Sequence, residues 1–72
     1  MLRYGDEGAE VLELQRRLEQ LQLYDGPENG RFGRRLRDAV TEFQMYAGVR
    51  DDAEGVYGAE TRSRLESLTH EP

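Results

Sequence analysis

The chain of 72 residues has no cysteine. That excludes a disulfide framework and any cysteine-ligated metal site. It leaves the compartment open, since a well-packed helical domain needs no disulfide outside the cell. No stretch reaches the roughly 18 consecutive apolar residues that a membrane-spanning helix requires, so no part is read as entering a membrane. There is no lysine: all ten basic residues are arginine, set against 15 acids and a single histidine. The net charge of −5 argues against duplex nucleic acid, where affinity comes from basic groups neutralising phosphates. Met1-Leu2-Arg3-Tyr4-Gly5-Asp6 passes straight into polar residues with no signal peptide, so an exported parent makes this chain a module of a larger protein. A chain this short forms one small domain whose core supplies roughly 3–5 kcal/mol at best.

What is present is a repeat. Gly5-Asp6-Glu7-Gly8, Gly30-Arg31-Phe32-Gly33 and Gly55-Val56-Tyr57-Gly58 recur at intervals of 25 residues, each ahead of an amphipathic run in the same register. Val11, Leu36 and Thr61 are equivalent in this frame, as are Gln15, Val40 and Leu65, and Leu18, Phe43 and Leu68. A fixed period marks one supersecondary unit used again, here a glycine-bounded turn followed by a helix. At least two of Gly30, Gly33, Gly55 and Gly58 are expected to need positive φ or a close approach that excludes a Cβ.

The first helix is expected over about Ala9–Gln22, with Val11, Leu14, Leu18 and Leu21 on one stripe. Tyr24-Asp25-Gly26-Pro27 breaks it. The second is expected over Arg34–Ala47, with Leu36, Ala39, Val40, Phe43 and Ala47 on one face and Gly48 closing it in a left-handed conformation. The third is expected over Ala59–Leu68, with Thr61, Leu65 and Leu68 inward. No strand-like alternation is long enough to count. The fold class is therefore all-α: a compact three-helix bundle with Gly-rich turns. Residues 1–68 make up the domain and residues 69–72 a disordered tail. The expected core is Val11, Leu14, Leu18, Leu21, Phe32, Leu36, Val40, Phe43, Leu65 and Leu68.

Candidate chemistry is sparse. Asp25, Asn29 and Gly30 match part of a calcium loop, but Pro27 and Leu36 stand where two ligands belong, so no metal site is expected. A nucleotide-clamping Gly-x-x-Gly loop of the KH type needs a sheet, and none is evident. His70 lies too near the end of the chain to be held beside a serine, and the carboxylates fall on solvent faces of the helices. The chain reads as a non-enzyme without a cofactor. Charge is uneven. Residues 31–50 carry five Arg and two acids, whereas residues 1–30 carry three Arg and seven acids and residues 51–72 two Arg and six acids. The basic middle is either a solvated helix face or the contact for a small anion. Tyr57 either packs in the core or turns its hydroxyl toward a groove.

Taken together, Gly5…Gly8, Val11, Leu14-Gln15-Arg16-Arg17-Leu18, Tyr24-Asp25-Gly26-Pro27, Asn29-Gly30-Arg31-Phe32-Gly33, Ala39-Val40, Phe43-Gln44, Gly48-Val49, Gly55-Val56-Tyr57-Gly58, Thr61 and Leu65 have a familiar order and spacing. Over residues 3–68 the chain resembles the small peptidoglycan-binding domain found beside bacterial cell-wall hydrolases. That family often has Gly where Gln22 stands, Thr where Leu36 stands and Trp where Arg62 stands. The resemblance implies a three-helix fold built on an internal repeat and a non-catalytic module that holds an attached enzyme on peptidoglycan outside the cytoplasm. The implied partners are peptidoglycan or muropeptide and a fused or partner cell-wall hydrolase, with the module itself a monomer. The alternative is a protein-interaction or scaffold module that keeps the fold without glycan binding. For the first reading, the expected groove is lined by Asn29, Arg31, Gln44 and Tyr57, with Arg31 as the anion contact. The repeat-mate of Arg31 is Val56, so packing within the repeat does not require the charge.

Overall fold

Three helices, α1 (Ala9–Gln20), α2 (Arg34–Ala47) and α3 (Ala59–Leu68), follow one another in a computed structural model that describes all 72 residues. The only strand-like pairings are two isolated antiparallel bridges, Leu2 to Tyr57 and Glu7 to Arg31. The all-α class and the limits of α2 and α3 are as the sequence suggests. Gly48 closes α2 at φ 70° and ψ 32°, in the left-handed region.

α1 stops two residues early. The Gln22 N–H donates to Glu19 O at 2.8 Å and the Leu23 N–H to Leu18 O at 3.0 Å, with Gln22 at φ 61°. This is a Schellman closure. It puts a side chain at a position where glycine escapes a steric cost.

The second and third turns share one backbone. Gly30 and Gly55 lie at φ 73° and 78°, while Gly33 and Gly58 start the next helix from extended conformations at φ −100° and −94°. The Gly33 and Gly58 carbonyls accept the first helical bonds, from Arg37 N–H at 3.0 Å and Arg62 N–H at 2.9 Å. A Cβ on Gly30 would lie 3.0 Å from the Gly8 carbonyl oxygen, and one on Gly58 would run into the Asp52 carboxylate.

Each of these turns is locked by a glutamine from the preceding helix. Gln15 Oε1 accepts from the Gly30 N–H at 3.0 Å, and its Nε2 donates to Arg31 O at 3.0 Å and Asn29 Oδ1 at 3.2 Å. Gln44 Oε1 accepts from the Gly55 N–H at 2.9 Å, and its Nε2 donates to Val56 O at 2.9 Å, Ala53 O at 3.1 Å and Thr61 Oγ1 at 3.1 Å. The 25-residue frame pairs Gln15 with Val40, but the structural partner of Gln15 is Gln44, one helical turn further on. The connection from α1 to the second turn is longer than that from α2 to the third, and the register slips by a turn to absorb the difference.

The core is the inward stripe of each helix together with Tyr24, Phe32 and Tyr57 from the connections. Eight of the ten expected core residues are buried. Leu21 lies past the end of α1 and is only partly covered. Leu68 is 51% exposed, because the residue that turns inward at the end of α3 is Thr69. Its hydroxyl donates to Leu65 O at 2.8 Å and accepts from Arg17 Nη1 at 2.9 Å. His70 exchanges two 2.8 Å hydrogen bonds with the side chain of Gln20. The tail expected to be disordered is thus tied to α1 through its first two residues.

α3 begins at a glycine with no side-chain cap, and a pair of carboxylates makes up for it. Asp52 Oδ2 accepts from the Thr61 N–H and the Thr61 hydroxyl, both at 2.6 Å. In return Glu60 Oε1 accepts from the Arg50 N–H at 3.0 Å and the Asp51 N–H at 2.7 Å. Burial alone pushes the Asp52 carboxyl up, but the hydrogen bonds it accepts outweigh this and hold it below its ordinary range. The Asp51 and Arg50 N–H groups depress Glu60 in the same way. A depressed folded-state value contributes stability above the unfolded pKa of about 3.9–4.3, and that stability is lost as pH falls through the folded value. Asp52→Asn, which keeps an acceptor oxygen but removes the charge, should therefore lower the melting temperature at pH 7, by less than the roughly 1 kcal/mol lost when a cap is removed altogether. The gap from the parent should narrow at pH 2; an equal gap at both pH values would show that the carboxylate charge is not what holds α3.

Candidate functional site

The arginines divide into two sets. On α1 and α3 they are paired: Arg16 with Glu28 at 3.3 Å, Arg17 with Glu13 at 2.9 Å, Arg62 with Glu66 at 2.8 Å and Arg64 with Glu60 at 3.3 Å. Arg31, Arg34 and Arg35 are exposed and have no carboxylate within ion-pair distance. Arg37 lies over the Tyr4 ring at 5.6 Å and reaches Asp38 at 3.7 Å. α2 therefore starts with three arginines in its first turn, no acid and no side-chain cap. The positive end of a helix dipole favours acids, so this arrangement works against the helix and leaves a positive region open to solvent.

A separate hollow of about 310 Å³ lies between α1 and α3, under the amino-terminal segment. Leu2, Leu14, Tyr57 and Ala59 give it an apolar wall, and Glu10, Glu13, Arg62 and Glu66 a charged rim. Tyr57 is 6% exposed. Its hydroxyl has no hydrogen-bond partner in the chain, yet it is not sealed from solvent. Burial, and then the charge of Glu66, push its ionisation well above the ordinary phenol range, so it is neutral at physiological pH. Tyr24 differs: its hydroxyl donates to Pro27 O at 2.7 Å and accepts from Gln15 Nε2 at 3.4 Å.

The four residues expected to line one groove are therefore dispersed. Asn29 and Arg31 are neighbours on the second turn, where the Arg31 N–H donates to Asn29 Oδ1 at 3.0 Å. Tyr57 alone lines the hollow. Gln44 is 7% exposed, with its amide engaged in the third turn, so its work is structural. The hollow's charged residues were missed. Glu10 and Glu13 share a face at i, i+3 and Arg62 and Glu66 at i, i+4, but nothing local shows that the two faces meet.

No helix is long and apolar enough to cross a membrane. The model of the family described as the putative peptidoglycan binding domain matches residues 7–65. Among solved structures, the chain is similar to the SleB N-terminal domain, with 35% identity and a TM-score of 0.88 over 96% of this chain and 92% of that one. It is also similar to the Burkholderia AP3 phage endolysin, with 37% identity and a TM-score of 0.78 over 99% of this chain and 26% of that one. No curated protein matches.

Proposed function

Because the chain belongs to the putative peptidoglycan binding domain family, we propose that it is a non-catalytic, monomeric module that holds an attached or partner wall-degrading enzyme on peptidoglycan, outside the cytoplasm. Its similarity to only 26% of the longer phage endolysin supports a module of that kind. The observation that carries the contact site is the run of unpaired arginines from Arg31 to Arg35, set where α2 also presents uncapped N–H groups. Stem peptides of peptidoglycan carry free carboxylates, and a guanidinium pairs with a carboxylate through a two-pronged hydrogen bond. Arg31 is the first contact, and Asn29 supports it from the same turn.

An exposed site of this size should bind a soluble muropeptide at about 0.1–1 mM. Arg31→Ala should weaken binding about 2–5-fold, the worth of one exposed charge pair, and raised salt should weaken it further. Backbone amide shifts during titration, with sedimentation on insoluble peptidoglycan, check this. Equal binding by the variant would remove Arg31 from the site. Failure to sediment would favour a protein-interaction module.

A further inference from the structure

We propose that the hollow between α1 and α3 is a second subsite that takes an ammonium group on an aliphatic arm, the free side-chain amine of a diamino acid in an uncross-linked stem peptide. This rests on the peptidoglycan-binding reading. Three observations carry it.

The first is charge. Three carboxylates, Glu10, Glu13 and Glu66, line the hollow with one guanidinium, Arg62, and with Met1, which carries the terminal ammonium. Arg62 is committed to Glu66 at 2.8 Å and reaches Glu10 only at 3.8 Å. Glu13 is matched by Arg17 at 2.9 Å. Glu10 is left as the carboxylate with the weakest partner, at the mouth of a concave site. The second is Tyr57, a 6% exposed residue that lines the hollow and whose neutral hydroxyl has no partner in the chain yet is not sealed from solvent. A phenol oxygen can accept from an ammonium N–H, more weakly than a carboxylate does, so it supplements Glu10 rather than replacing it. The third is the apolar wall of Leu2, Leu14 and Ala59, which suits methylenes rather than a second charge. A carboxylate would be repelled here. A neutral sugar would satisfy the tyrosine but leave Glu10 with only its 3.8 Å contact to Arg62.

The test compares two forms of one soluble muropeptide, with the diamino-acid amine free or acetylated, titrated into the whole chain and followed by backbone amide shifts. Acetylation should weaken binding about 5-fold or more, equivalent to roughly 1 kcal/mol. Shifts should include Leu2, Glu10, Tyr57 and Arg62. Glu10→Gln should reduce the preference for the free amine. Tyr57→Phe, which keeps the ring, should weaken the free-amine form about 2–5-fold with little change in melting temperature. Equal affinity for the two forms, or shifts confined to residues 29–35, would overturn the subsite. Equal competition by a lysine peptide unrelated to the wall would overturn its assignment to the stem peptide. Sedimentation with intact peptidoglycan runs in parallel. Retention without an amine preference defeats this subsite and leaves the wall-binding reading standing, whereas loss of retention defeats both.

Discussion

Phe43→Ala should leave the chain largely unfolded at 25 °C. Phe43 is 0% exposed, the largest of the fully buried side chains, and sits on the inward face of α2. Truncating a buried phenylalanine costs about 3–5 kcal/mol from lost transfer energy and the cavity left behind. That is about as much as a core of this size supplies, so the variant retains little margin. The control is Leu68→Ala, at a side chain that is half in water, which should change stability far less than Phe43→Ala does. Circular dichroism melts of both variants check the pair. A Phe43→Ala protein that melts like its parent would show that the centre of the core lies elsewhere.

The second large effect should come from the glutamine locks. Gln15→Leu and Gln44→Leu put a shorter, apolar side chain in place of the amide and remove both ends of the lock. Gly30 and Gly55 are buried, so their N–H groups would lose a partner without gaining water. An orphaned buried donor costs about 1–3 kcal/mol. With the turn carbonyls also released, each variant should lose about 2–3 kcal/mol, enough to lower the melting temperature by many degrees in a chain this small. The distinguishing readout is hydrogen exchange: Gly30 N–H should lose protection beyond the global change in Gln15→Leu, and Gly55 N–H in Gln44→Leu. Unchanged protection at those amides would mean the turns hold themselves.

The glutamines also show where sequence reading works and where it stops. Apolar periodicity and the glycine pairs were enough for the class, the number of helices and the limits of α2 and α3, because these follow from local spacing. Gln44 stood beside Phe43 at the edge of an apolar face, and its type and exposed flank suggested a ligand contact. Its true task depends on a turn ahead of it in the chain and on an unequal loop length, neither of which periodicity encodes. Leu68 fitted the stripe but fell at the last residue of α3, where Thr69 could satisfy its hydroxyl and take the inner place. The hollow was hidden for a related reason. Its two rims are ordinary charged faces on separate helices, and only the packing of α1 against α3 makes them one site.

The way the two ends of the chain are sewn on bears on how the molecule forms in time. The glutamine locks join residues 15 and 11 positions apart, whereas Arg17–Thr69 and Gln20–His70 join residues 52 and 50 apart. Short-range contacts repay loop closure early, and helical chains dominated by them fold in microseconds to milliseconds. The two helix–turn halves can therefore assemble before the termini close over them. Weakening the seam, as Thr69→Ala would, should speed escape from the native state while leaving the folding limb of a chevron plot nearly unmoved. On that outcome, resistance to unfolding would be set at the carboxy-terminal seam and the speed of folding in the helix–turn halves.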